Sequence, residues 1–295
     1  MSHRLRFHIV DVFAERKYSG NQLAVVKDDG SLSDDDMQRI AREFGYSETT
    51  FIESDVKDGA YDVRIFTPEE EIPFAGHPTL GTAHVIREGV EEKPQTETLL
   101  NLGVGEIRVD AEFEDGNEIL WMSQKSPDFG REFRREEAAE ALGLNSDEID
   151  NSYPVEYVST GLPTVVVPLR SIDALKRVSV NRTAYDSFVS GHDAKNILAF
   201  CPETRSDEND VSVRVFAPFY GVPEDPATGS SNGCLAGYLL RHNYFGSEII
   251  DVRVEQGHEI QRPSLLRLRS SVSQDGIEVR VGGQTVTVAE GELLV

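Results

Sequence analysis

The sequence predicts an α+β chain built as two similar halves, and three observations predict it. Short apolar runs of strand type recur along the chain, separated by stretches of helix type. Two Gly-Thr-rich segments, Gly76-His77-Pro78-Thr79-Leu80-Gly81 and Glu224-Asp225-Pro226-Ala227-Thr228-Gly229-Ser230-Ser231, each follow a strand-type run and precede a helix-type stretch, Thr82 to Glu88 and Asn232 to Arg241. The order strand, cradle, helix thus occurs once in each half, the pattern of an internal duplication. A chain of 295 residues is long enough for two domains with cores of their own.

The elements follow in order. Alternation over Phe7 to Phe13 and the run Leu23-Ala24-Val25-Val26 bracket a Gly-Asn turn, which reads as a β-hairpin. Ser33 caps a helix from Asp34 to Phe44, with acids in its first turn as the helix dipole prefers. Phe51-Ile52-Glu53 and Tyr61 to Phe66 continue the sheet. The first cradle and its helix come next, and strands around Glu97 to Asn101 and Gly105 to Val109 complete the half. After Glu114-Asp115-Gly116 the second half opens with a strand from Glu118 to Met122 and a helix from Glu136 to Leu142 before Gly143. Val155 to Val158 and Thr164 to Pro168 read as strands, and Ser171 to Arg177 and Asn181 to Ser190 as helices. Ile197 to Phe200 and Val211 to Phe216 lead as strands into the second cradle. No low-complexity linker separates the halves, so the boundary is placed near 112–118. The predicted domains are 1–115 and 116–295, with the final strand near Thr285 to Ala289 crossing back to the first.

The formal net charge is −23, yet the acids are scattered and form no tail. Lysine is confined to Lys17, Lys27, Lys57, Lys93, Lys125, Lys176 and Lys195, and arginine supplies the other cations. A dense carboxylate surface with few lysines suits a halophilic protein, because screening within ~3 Å at 1 M salt removes its self-repulsion. An ordinary acidic cytosolic protein is the alternative. Such a field repels phosphate backbones, which argues against nucleic acid as a partner. Only Cys201 and Cys234 are present, far apart and in no Cys-x-x-Cys pair, as expected in a reducing cytoplasm. Met1 to Phe7 lacks the apolar core of a signal peptide, and no apolar run reaches the ~20 residues of a membrane span. A soluble cytoplasmic protein without a membrane partner is the expectation.

Both cradles precede helix-type stretches and so can present free backbone N–H groups to an anion, which points to a small carboxylate-bearing substrate. Glu48, in Ser47-Glu48-Thr49-Thr50-Phe51, is the candidate acid/base, since Phe44, Tyr46 and Phe51 can supply the burial that moves a carboxyl toward neutrality. His77, in the first cradle and 29 residues after Glu48 (77 minus 48), is expected to face the cleft and to donate a hydrogen bond or relay a proton. His84 is expected to pack. Asp225 is read as the cap of the second helix, as a carboxylate turned to an amino or hydroxyl group of the substrate, or as both at once. Thr228, Gly229 and Ser231 offer further donors to a carboxylate. Asn21 is a turn residue or reaches the substrate. Gln256-Gly257 and Arg262-Pro263-Ser264 read as structural, with Gly257 able to bring backbone near a ligand. Arg214, in an alternating strand, pairs with a carboxylate or contacts substrate. There is no Gly-x-Gly-x-x-Gly, no Gly-Lys-Ser/Thr loop and no His-Glu-x-x-His, so no cofactor and no metal are expected.

With Gly20-Asn21-Gln22, Ser47 to Phe51, both cradles, Arg214-Val215-Phe216-Ala217-Pro218, Gln256-Gly257 and Arg262-Pro263-Ser264 in this order, the chain resembles the phenazine-biosynthesis (PhzF-like) isomerase family over nearly its whole length. That resemblance implies a diaminopimelate-epimerase-like fold of two pseudo-symmetric domains, each a curled, mostly antiparallel sheet around a central helix. It implies a cofactor-independent isomerase that shifts a proton within a small carboxylate-bearing metabolite, with Glu48 as acid and base and His77 and Asp225 assisting. Asn21, Gly76, Gly229, Ser230 and Gly257 would bind the substrate, Ser230 matching the family's active-site serine. A homodimer is compatible with this. The family more often has Pro where this chain has Gln22, a departure that concerns the turn. Cysteine-dependent epimerases of this fold place a Cys at the head of each cradle, where this chain has Ala75 and Pro226, so a two-cysteine racemase is not expected. The alternative is a catalytically silent ligand-binding or partner-binding protein of the same fold, and an amino-acid racemase or dehydratase is a third reading.

Overall fold

The computed structural model describes residues 3–53, 59–89, 96–274 and 276–295. The chain divides into two compact units, Met1–Met122 with Gly282–Val295, and Ser123–Val281.

In the first unit β1 (Arg4–Val12) and β2 (Asn21–Lys27) form the antiparallel hairpin, Phe7 lying opposite Val26 and Val12 opposite Asn21. Gly20, at φ 66°, closes the turn, and a Cβ there would stand 2.3 Å from the Val12 carbonyl oxygen. α1 (Asp34–Phe44) starts at a Ser33–Asp36 capping box and ends at Gly45 in the left-handed region. β3 (Thr49–Ile52) runs parallel to β2, and β4 (Tyr61–Phe66) antiparallel to β3. After the short β5 (Glu71–Ile72) comes α2 (Gly76–Gly89), followed by β6 (Glu97–Leu102), β7 (Gly105–Glu114) and β8 (Asn117–Gln124).

The second unit contains β9 (Asp128–Phe133), α3 (Arg135–Leu142), β10 (Val155–Ser159), β11 (Pro163–Pro168), α4 (Ile172–Arg177) and α5 (Arg182–Val189). It continues with β12 (Asn196–Cys201), β13 (Val211–Ala217), β14 (Val222–Asp225), α6 (Gly229–Arg241), β15 (Ile249–Gln256) and β16 (Ser264–Ser273). β17 (Gly276–Gly283) follows, and β18 (Thr285–Leu294) pairs with β1 in the first unit.

Each unit wraps its sheet around one buried helix. Residues Gly76 to Arg87 of α2 are all buried, and the helix packs on β1, β2, β3, β6, β7 and β18. The close approach needs Gly81, where a Cβ would lie 2.5 Å from Leu23 Cδ2. α6 is buried in the same way against β10, β11, β12, β15 and β16. The opposite face of that sheet is covered by α3, α4 and α5, whose Ala138, Leu142, Leu175 and Tyr185 share a core with Val165, Ile197 and Ala199. With cover on both faces, β12 is buried at every position, so its sequence is a continuous apolar run with no alternation.

Both central helices begin earlier than the sequence predicts, at Gly76 and Gly229 in place of Thr82 and Asn232. The cradles are therefore first turns of helices. Glycine and proline lower helix propensity and make these turns look like loops, but burial on all sides overrides propensity.

Candidate active site

Glu48 follows the left-handed Gly45 that ends α1 and immediately precedes β3, while His77 is the second residue of α2. Inside the first unit Thr50 of β3 and Thr82 of α2 share a buried hydroxyl hydrogen bond of 2.8 Å, which ties the two elements together. Their ends then bring His77 Nε2 to 3.3 Å from Glu48 Oε2, with side-chain exposures of 7% and 17%. This lies just past ordinary hydrogen-bond length.

His77 is buried, contrary to the expectation of a cleft-facing loop histidine, because its segment is helical and enclosed by the sheet. Desolvation pushes its pKa from 6.5 down to about 3, opposed by a hydrogen bond with the Gln22 backbone. The imidazole is therefore neutral at physiological pH, and its contact with Glu48 is no ordinary ion pair. The Gln22 bond also brings the Gly20-Asn21-Gln22 turn beside His77, so three of the motifs singled out in the sequence meet in this unit. Asn21 and Gly76 are both buried, as the first residues of β2 and α2. His84 packs, 3.1 Å from Thr287 Oγ1 and 3.2 Å from Glu88.

In the second unit Asp225 ends β14 and is not a helix cap, since α6 begins only at Gly229 with Thr228 in the capping position. The Thr228 hydroxyl makes no capping bond and instead contacts Asp225 Oδ2 in a short hydrogen bond. Gly229 and Ser230 form the first turn of α6. Gly257, at φ 77°, passes so close to Pro226 that a Cβ would lie 2.6 Å from its carbonyl oxygen. Asp225, Thr228 and Gly257 are thus gathered at one end of α6.

Arg214 forks onto Glu224, beside Asp225, at 2.9 and 2.6 Å, and its Nη1 donates to the carbonyls of Leu175 and Val178 at the end of α4. It is a buried ion-pair partner, as one of its two readings expects. The sequence does not single out Gln256 for this end of the unit, although its side chain bonds to Asp225, Thr228 and Asn232. A polar residue closing the apolar alternation of Val252 and Val254 is the available signal.

Both cysteines are free and buried. Burial pushes the Cys201 thiol up to about 12 and raises that of Cys234, so neither is prepared as a thiolate. Among the described residues no group of three or more His, Cys, Asp or Glu side chains is placed to hold a metal, and no helix is long and apolar enough to cross a membrane.

Comparison with known proteins agrees with the resemblance. The sequence is 37% identical over 290 residues to a trans-2,3-dihydro-3-hydroxyanthranilate isomerase of Pseudomonas chlororaphis, covering 97% of this chain and 98% of that one. It is 34% identical to an uncharacterized isomerase of Mesorhizobium japonicum, covering 97% and 98%. A PhzF-family phenazine biosynthesis protein of Bacillus anthracis superposes with a TM-score of 0.92 at 27% identity, over 99% of this chain and 100% of that one. A hydroxyproline epimerase of Agrobacterium vitis shares the fold at TM-score 0.62 and 11% identity, over 100% and 94% of the two chains. The profile of the PhzC-PhzF, or phenazine biosynthesis-like, protein family matches residues 10–291, and the chain belongs to that family.

Proposed function

We propose that this isomerase shifts a proton within a small carboxylate-bearing metabolite without a cofactor, Glu48 removing it from one carbon and returning it to another. The observation that carries the reading is the buried Glu48–His77 contact of 3.3 Å with the imidazole held neutral. A neutral imidazole that donates one ring N–H to the Gln22 backbone turns the lone pair of Nε2 toward Glu48. Two facing lone pairs repel, and the proton that the Glu48 carboxylate takes from carbon relieves this by lying toward Nε2, so Glu48 holds it until its return without building net charge on the histidine. A carboxyl that must act first as base and then as acid gains from such a partner.

α2 begins at Gly76 and α6 at Gly229-Ser230, and first turns of helices carry free backbone N–H donors of the kind that suit a carboxylate, so Gly76, Gly229 and Ser230 are read as substrate-binding residues. Asn21 and Gly257 bring polar side chain and backbone to the substrate, and Asp225 receives its amino or hydroxyl group. The name of the 37% identical relative supports a substrate of this chemistry.

The test uses trans-2,3-dihydro-3-hydroxyanthranilate in heavy water. The wild-type protein is expected to place solvent deuterium on carbon, and Glu48→Gln to lower that rate by ~10²–10⁴ while melting normally. A protein that binds the compound and exchanges nothing is the silent binder. Undiminished exchange in Glu48→Gln removes Glu48 as the base.

A further inference from the structure

Gln256 is 1% exposed and ends β15, and its amide uses its whole hydrogen-bonding capacity on the segment from Asp225 into the first turn of α6. Oε1 accepts from the Thr228 backbone N–H at 3.2 Å and from Asn232 Nδ2 at 2.9 Å. Nε2 donates to the Asp225 backbone carbonyl at 2.8 Å and to Thr228 Oγ1 at 3.1 Å. A backbone N–H can only donate and a backbone carbonyl can only accept, so these two partners fix which end of the amide is which. The consequence passes to the threonine. Because Thr228 Oγ1 accepts from Gln256, its own proton is directed to Asp225 Oδ2, the short contact already described.

We propose that Gln256 is a positioning residue, acting through the Thr228 hydroxyl to hold the Asp225 carboxylate in one orientation. The inference rests on the reading of Asp225 as a group that meets the substrate. Gln256→Glu tests the direction of the hydroxyl. The new side chain has the same shape, but its carboxylate oxygen replaces the donor, so the Thr228 proton has two competing acceptors and the Asp225 carbonyl loses its partner. Gln256→Met removes the donor without adding a competitor. Thr228→Val removes the hydroxyl that carries the effect, and Thr228→Ser keeps it.

With trans-2,3-dihydro-3-hydroxyanthranilate as probe, Gln256→Glu is expected to lower kcat about 10²-fold and Gln256→Met about tenfold, with KM moving less than either. In a Thr228→Val background the excess loss of Glu over Met should vanish, whereas Thr228→Ser should retain it. Equal losses for Glu and Met that track the melting temperature, or an excess loss that persists without the hydroxyl, overturn the proposal. Amide exchange needs no substrate. The Thr228 N–H should exchange at least tenfold faster in Gln256→Met, and an unchanged rate overturns the proposal whatever Asp225 does. Full turnover in Asp225→Asn instead overturns the reading of Asp225, and the exchange rate then still decides whether Gln256 holds the loop.

Discussion

Nε2 of His77 stands 3.3 Å from Oε2 of Glu48, and the burial that brings the two together also drives the imidazole pKa down to about 3. This couples the candidate chemistry to stability. The unfolded chain binds a proton at this position below about pH 6.5, whereas the folded chain does not until about pH 3.

Stability should therefore fall with acid between those limits. More protons are bound by the unfolded state there, so the free energy of unfolding rises with pH, and the contribution is complete above about 6.5. The effect on this one group is on the order of several kcal/mol. Urea unfolding at pH 4 to 7 should show a steep rise in the wild type and a shallower one in His77→Gln. Parallel curves would mean that His77 protonates in the folded protein.

Arg214→Met should destabilise the second unit by about 3–5 kcal/mol, because it strands the buried Glu224 and leaves the Leu175 and Val178 carbonyls without their donor. Arg214→Met combined with Glu224→Met should recover much of that loss, since no buried charge is left unpaired. Denaturant titration of the single and double variants measures both. A single-variant loss under about 1 kcal/mol contradicts the assignment.

Gly257→Ala should cost about 2 kcal/mol or more, because φ is 77° and the added Cβ would meet the Arg262 and Pro226 carbonyl oxygens at 2.3 and 2.6 Å. Backbone cannot swing aside as a side chain does, so Pro226 and the neighbouring Asp225 must move. Turnover should fall along with the melting temperature, and an unperturbed melt would show that the loop yields freely.

The acidic surface should make the protein salt-dependent. Net charge is −23, and Asp34, Asp35 and Glu208 side chains are 82%, 86% and 81% exposed. Unscreened repulsion weakens the compact state, so melting temperature should climb as potassium chloride rises from dilute buffer to about 1 M, where the screening length is ~3 Å. A flat or falling series removes the halophilic reading.

Short-range physics was legible in the sequence. The hairpin at Gly20, the Ser33 cap of α1 and the covered run of β12 depend on neighbours within a few positions, and they stand where the sequence predicts. The motif residues were legible too, since Glu48, His77 and Asp225 carry chemistry that few other side chains supply. The sequence pattern predicts no strand at β5, β9 or β14 to β17, β5 because it has two residues and β14 because a four-residue strand between a turn and a cradle carries too little alternation. Only the tertiary structure decided that His77 is a buried helical residue against Glu48, and that the Gln256 side chain bonds the Asp225 backbone carbonyl where a helix cap was one expectation. The physical reason is the same in both cases. A polar contact between groups some 29 or 31 positions apart (77 minus 48, 256 minus 225) leaves no periodic trace in the chain, because its partners are chosen by the path of the backbone and by the exclusion of water around them.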